Sequence, residues 1–223
     1  MRWLVETRIN PALPSVHNGG SGITEREMNM DTSIDLSGKK VAVLVADGFE
    51  QEELTSPIEA LNSAGAETEI VSPAEGKVKG WKHTDWGKKF EVDVPLSEAD
   101  ADDYDALVLP GGVMNPDKLR SDPAALEFVR AFFAAGKPVG AICHGPWTLI
   151  DAGVVEGRRM TSYESIQTDL KNAGADWVDE EVVVDNGLVT SRKPADLPAF
   201  NSKLIEEIGE GVHAGQSEST HLA

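Results

Sequence analysis

Short, nearly uninterrupted apolar runs recur along this chain, separated by stretches in which apolar residues return every three or four positions. Residues 41–46, 106–109 and 139–142 are such runs. A strand buried on both faces reads this way, whereas a half-exposed strand alternates. Residues 68–72 predict a further strand. Between the first run and this one, Leu54, Ile58 and Leu61 fall at helical spacing behind Glu50, Glu52 and Glu53. Those acids sit where the helix dipole favours negative charge, and Gly65 is placed to end the helix. Pro57 is expected in its first turn, where a missing N–H does no harm. A second helix is predicted from Pro123, with Ser121 and Asp122 as candidate caps; its apolar face is Leu126, Val129, Phe132 and Phe133, and Gly136 closes it. Further helices are expected just after Pro146, over 166–172 and, as the last element, over 196–208. Asn186-Gly187 between β-branched runs predicts a hairpin. Strands alternating with helices predict an α/β domain with a mostly parallel sheet.

The ends lack this order. Residues 1–37 contain Pro11, Pro14 and a Gly19-Gly20-Ser21-Gly22 run without period. They read as a disordered tail, or as an extension ahead of a true start at Met28 or Met30. The domain is expected over 38–208, and 209–223 as a polar, flexible tail. Residues 77–82 and 89–94 predict a short antiparallel excursion. It carries Trp81, His83 and Trp86, which are able to border a site but read more simply as a packed surface loop. Residues 98–105 are acidic, without apolar period, and read as solvated.

Charge narrows the function. Among 223 residues, 20 basic and 38 acidic side chains give a net charge of −18. Nucleic-acid backbones and anionic membrane surfaces require clustered Lys and Arg, and no such cluster exists, so neither is expected as a partner. No run of eighteen apolar residues predicts a membrane helix. A single cysteine forms no internal disulfide. With no signal-type apolar segment near the start, the expected location is cytoplasmic.

That one cysteine marks the candidate chemistry. Cys143 stands where the apolar run 139–142 meets His144-Gly145-Pro146 and a predicted helix. Strand, abrupt turn and helix make the shape of a nucleophile elbow, which lifts one side chain clear of both elements. The reactive form is the thiolate, so a base or a lowered pKa is needed; His144 is adjacent. A lone cysteine is most often a small buried hydrophobe, but filler does not require histidine, glycine and proline packed behind it. Two other strand ends are unusual, at residues 48–53 and at Pro110-Gly111-Gly112. Ligands bind beyond the carboxyl ends of strands in open parallel sheets, so the three segments are expected to meet at one rim. The N–H groups of Gly112 and His144 are the candidate oxyanion hole. No histidine is followed two residues later by glutamate, the pair an amidotransferase of similar elbow type uses. Adjacent Cys143 and His144 lack metal-ligand spacing, so no metal is expected.

Residues 41–53, 107–112, 141–146 and 190–196 together resemble the ThiJ/PfpI family, particularly its PfpI-like branch, within a match over about residues 39–208. The resemblance implies a flavodoxin-like three-layer α/β sandwich with a mostly parallel central sheet and a cysteine on a strained elbow. It makes Cys143 the nucleophile and Glu53 the carboxyl that contacts the thiol, with Glu50 competing in the same acid-rich segment. It also implies that His144 completes a triad with an acid lent by a neighbouring subunit. Here that acid would be Asp117, in Asn115-Pro116-Asp117, one methylene shorter than the family's glutamate. A homodimer or higher assembly follows, without metal or organic cofactor. The expected function is a stress-protective cysteine enzyme acting on reactive carbonyls or their adducts, glyoxalase- or deglycase-like. The alternatives are an intracellular cysteine peptidase, with a peptide as substrate, and a non-enzymatic redox sensor or holdase.

Overall fold

The computed structural model describes residues 34–218. The expectations for the first 33 residues, the alternative starts included, lie outside them, as does the end of the expected C-terminal tail. The chain runs β1 (Lys40–Leu44), α1 (Gln51–Ser63), β2 (Glu67–Ser72), β3 (Lys77–Lys82), β4 (Asp85–Glu91), β5 (Val94–Pro95), β6 (Ala106–Leu109), α2 (Met114–Leu119), α3 (Pro123–Ala134), β7 (Val139–Ile142), α4 (Pro146–Ala152), β8 (Arg159–Met160), α5 (Gln167–Asn172), β9 (Asp176–Trp177), β10 (Val182–Asp185), β11 (Leu188–Ser191), α6 (Leu197–Glu210) and α7 (Ala214–Glu218).

Seven strands form the central sheet in the order β10-β11-β7-β6-β1-β2-β5. All neighbours pair parallel except β10 with β11, the hairpin at Asn186-Gly187. Both turn residues take positive φ, 46° and 82°, as a two-residue type I′ turn requires. Successive side chains on β1 point to opposite faces. Val41 and Val43 join Leu54, Leu61, Phe200 and Leu204 under α1 and α6. Ala42 and Leu44 join Phe128, Phe132, Leu149 and Leu170 under α3, α4 and α5. Both faces are therefore covered, which is why the strands read as continuous apolar runs. The result is the three-layer, flavodoxin-like sandwich.

The order β2-β1-β6-β7-β11 is the doubly wound arrangement that reverses direction between β1 and β6. The loops leaving those two strands part there and open a crevice. The segments after β1, β6 and β7 meet at that rim, as expected.

Four local expectations need correction. Pro57 lies in the second turn of α1, not the first; its missing N–H removes the helical bond to the Glu53 carbonyl. The short α2 was not expected, because its six residues are too few to show a period. Residues 77–91 form the expected antiparallel hairpin, but its second strand is Asp85–Glu91 rather than 89–94. Trp81 N–H donates to Phe49 O at 2.7 Å, Gly48 N–H to Lys79 O at 2.8 Å and Lys79 N–H to Asp47 Oδ1 at 2.7 Å, which stitches it onto the β1–α1 turn. The chain also stays packed beyond residue 208. After α6, His213 N–H donates to Gly136 O, and α7 places Gln216 fully buried, its carbonyl accepting from Arg158 Nη2 at 2.8 Å. Among the described residues no helix is long and apolar enough to cross a membrane.

Candidate active site

Cys143 sits immediately after β7 with φ at +62°. That region is costly for a residue with a Cβ, and such strain persists only where the surroundings fix it. Here Cys143 N–H donates to Ser191 O at 3.0 Å, and Cys143 O accepts from Tyr163 N–H at 2.9 Å. Gly145 lets α4 begin directly against β6, since a Cβ there would lie 2.5 Å from Leu109 O. The thiol is therefore held at the strand end, largely buried but lining a cavity of about 470 Å³.

Two titratable groups flank the sulfur. His144 Nδ1 lies 3.2 Å from Cys143 Sγ. Glu53, on the first turn of α1, is completely buried. Its Oε2 accepts from Gly111 N–H at 2.8 Å. Its Oε1 has no nitrogen or oxygen partner among the described residues, and the carboxyl interacts with the thiol. Burial, opposed by the Gly111 hydrogen bond, pushes the Glu53 pKa up to about 8. Burial and the Glu53 charge push the Cys143 thiol up as well, against the backbone N–H groups of Gly112 and His144, which donate toward the sulfur. Burial lowers His144. All three shifts favour the neutral form of the group: carboxylic acid, thiol and imidazole. A thiol here becomes a nucleophile by passing its proton to a base, and the imidazole is in place to take it.

The glycine turn after β6 is shaped by what it touches. Gly112 has φ at +76°, and a Cβ there would lie 2.5 Å from Gly48 O. At Gly111 a Cβ would come within 2.7 Å of both Cys143 Cβ and Glu53 Oε2. Asn115, fully buried, ties this turn to the end of β1: its Oδ1 accepts from Ala46 N–H at 2.7 Å, and its Nδ2 donates to Pro110 O and Gly111 O.

Cys143, His144, Glu53 and Gly112 thus converge as expected. Glu50 borders the same cavity; burial raises its pKa, and His83 pulls it back. Asp117 is exposed on α2, outside the cavity within this chain. His144 instead meets Ser165 Oγ, 3.0 Å from Nε2. Tyr163 stacks on the imidazole, centroids 4.8 Å apart and planes at 25°, and Trp147 meets it edge-on at 5.2 Å. Neither Tyr163 nor Ser165 stood out in sequence, because no spacing links them to the elbow. Trp81 and His83 also line the cavity, which corrects their reading as a packed loop; Trp86 does not. Two tryptophans and a histidine in a hairpin rich in lysine were the available signal. Away from this site, Glu207, Glu210 and His213 bring one ligand atom each within 4.8 Å of one another. Glu207 and His213 lie 3.4 Å apart.

Relatives similar in sequence carry varied names. The chain is 49% identical over 167 residues to "Putative cysteine protease YraA" of Bacillus subtilis (strain 168), covering 75% of this chain and 96% of that protein. It is 47% identical over 170 residues to general stress protein 18 of the same organism, covering 75% and 96%. To protein/nucleic acid deglycase 2 of Escherichia coli (strain K12) it is 47% identical over 173 residues, covering 77% and 98%. A crystal structure of a two-domain Anabaena variabilis protein with DJ-1/ThiJ/PfpI-like and ferritin-like domains superposes with a TM-score of 0.72 at 38% identity, over 77% of this chain and 50% of that one. Residues 39–207 match the DJ-1/PfpI family as a whole, and with an elbow cysteine, a buried glutamate and a glycine turn meeting at one rim, the chain belongs to that family.

Proposed function

We propose that this protein is a stress-protective cysteine enzyme that acts on reactive carbonyls, or on the adducts they leave on other molecules, in the manner of a glyoxalase or deglycase. One observation carries the reading. The Cys143 sulfur lies at the cavity wall with a neutral imidazole 3.2 Å to one side and two backbone N–H donors converging on it. A cavity of about 470 Å³ has the size of a small-molecule site.

The chemistry follows from those positions. Sulfur attacks the carbonyl carbon, and a C–S bond forms as the C=O π pair moves to oxygen. The thiol proton passes to His144 Nδ1 and then to that oxygen, leaving a neutral hemithioacetal and a neutral imidazole. The N–H groups of Gly112 and His144 are the donors nearest the developing oxyanion. Glu53 in its neutral form supports the sulfur from the buried side; when the C–S bond breaks, the hydroxyl proton returns through His144 Nδ1 to the sulfur as the C=O bond re-forms, and Glu53 keeps its own proton. The names of the stress-protein and deglycase relatives support this reading.

Paired assays test it. Wild-type and Cys143→Ala protein are given methylglyoxal, a methylglyoxal-modified peptide and an unmodified fluorogenic peptide. The expected result is Cys143-dependent consumption of methylglyoxal or clearance of the adduct. Cys143-dependent cleavage of the fluorogenic peptide alone would establish a peptidase instead. Loss of neither carbonyl nor adduct, with oxidation of Cys143 under peroxide, would leave a sensor.

A further inference from the structure

We propose that Glu207, Glu210 and His213 form a binding site for one divalent transition-metal ion of the zinc type, which clasps the C-terminal segment to the end of the sheet opposite Cys143. The site is separate from the metal-free chemistry expected at Cys143 and does not depend on it.

Glu207 and Glu210 stand one helical turn apart at the end of α6, so their side chains share a face. Gly211, at a φ of 89°, ends the helix, and His213 turns back toward that face. One ligand atom from each of the three lies within 4.8 Å of the others. His213 Nε2 is 3.4 Å from Glu207 Oε2. Metal–ligand bonds of about 2.1 Å in a tetrahedral zinc site set neighbouring donors about 3.4 Å apart, so this pair already spans one edge. Glu210 is exposed, and rotation of its side chain brings it to the third corner. Solvent is at hand for the fourth. An imidazole beside two carboxylates suits zinc and its neighbours, whereas calcium and magnesium take oxygen ligands. Nε2 also lies 3.3 Å from Glu207 O; a cation at this nitrogen takes the place of a proton, which is released to solvent.

The surroundings call for a positive charge and hold the ligands in place. The last turn of α6 carries Glu207 and Glu210 and no basic residue, at the end of the helix where the dipole is itself negative. Glu207 is only 8% exposed. Burial raises its carboxyl above the usual range; His213 opposes this and Glu210 adds to it. A buried carboxylate beside a second one is costly unless a cation joins them. The Glu207 carboxyl also accepts from Gly187 N–H, and the His213 ring packs on the same turn, since a Cβ at Gly187 would lie 2.8 Å from His213 Cδ2. Hydrogen bonds of this kind orient the ligands of metal sites. His213 N–H donates to Gly136 O at 2.8 Å. Gly136 leads into β7 and Gly187 into β11, so a metal here would brace the starts of the two strands whose far ends meet at Cys143. The family match stops at residue 207; Glu210 and His213 belong to what this chain adds after it.

The test titrates zinc chloride calorimetrically into the full chain carrying Cys143→Ala, so that the thiol takes no metal. The expected result is one zinc ion per chain and a higher melting temperature with zinc than with a chelator. In that background His213→Gln and Glu207→Gln should each weaken binding by at least about tenfold, the smallest loss usual even for a residue that only supports a ligand, and should remove the rise in melting temperature. Glu210→Gln, at an exposed position, carries the same expectation and decides the matter if Glu207→Gln folds poorly. Cobalt(II) in place of zinc should give the visible absorption of a four-coordinate site, and His213→Gln should abolish it. Excess magnesium should not displace the zinc. No binding of zinc would overturn the proposal and leave Glu207 and His213 as an ion pair. Binding that persists undiminished in all three variants would mean an adventitious ion only, held elsewhere on a chain of net charge −18. Displacement by magnesium would remove the imidazole from the site and the proposal with it.

Discussion

Glu53 is a carboxyl in a place that suits only its acid form, and this has a consequence for stability. Its pKa in the folded protein, about 8, lies above the ordinary 4.5. Over that interval the native state keeps a proton that the unfolded chain has released. Glu53's contribution to stability is therefore lost as pH rises from about 4.5 to about 8 and is level beyond. Glu53→Gln keeps an oxygen for Gly111 N–H and removes the titration. Its melting temperature relative to wild type should climb steadily across that window and be flat outside it; a constant offset would mean that Glu53 titrates normally. Carbonyl turnover should fall far more in Glu53→Ala than in Glu50→Ala, because only Glu53 lies at the sulfur. Equal losses would place both acids in the chemistry. Cys143 and His144 were legible in sequence because they lie at a strand end marked by an elbow; the acid-rich turn after the first strand was legible too, but only the family resemblance singled out Glu53 over Glu50 within it. Tyr163 and Ser165 were not, since they come to His144 through a hydrogen bond between backbones twenty residues apart.

The elements that carry these residues differ in how plainly the chain announces them. Strands buried on both faces read as apolar runs, and β6 and β7 lie where the pattern puts them. The hairpin of β3 and β4 was readable as a hairpin but not as a cavity wall. Few of its side chains are buried, Val78 among them, so its docking is recorded in backbone hydrogen bonds that leave no hydrophobic pattern. Trp81→Ala and His83→Ala should consequently raise KM for carbonyl substrates severalfold with little change in melting temperature; an unchanged KM would return the hairpin to a purely structural role. The glycine turn is less forgiving. Gly112→Ala sets a Cβ against the Gly48 carbonyl at a φ of +76°. It should cost about 1–3 kcal/mol of stability, the range for enforced strain, read as a lower denaturant midpoint, and should misalign one N–H donor at the sulfur. A variant of wild-type stability and activity would show that this turn has room to move.

At the level of the whole molecule, the sheet order explains why one rim gathers the chemistry. Strands β1 and β6 diverge into their connections, β7 delivers Cys143 beside them, and the loops after all three meet. The rim was predictable from three odd strand ends; the packing of α7 was not, because its sequence is short and polar. The stress-protein and deglycase relatives are matched over 96% and 98% of their lengths by about three quarters of this chain. Removing residues 1–29 should therefore leave Cys143 alkylation and melting temperature unchanged, and a drop of more than a few degrees would assign those residues a part in the fold. The central claim is that Cys143 forms a bond to a carbonyl carbon. Rapid mixing with methylglyoxal, borohydride quenching and peptide mass spectrometry test it directly. The account predicts a reduced one-to-one adduct on Cys143, formed within the time of turnover and absent in Cys143→Ser. Full turnover without any adduct at that sulfur, or with Cys143→Ser as active as wild type, would contradict it.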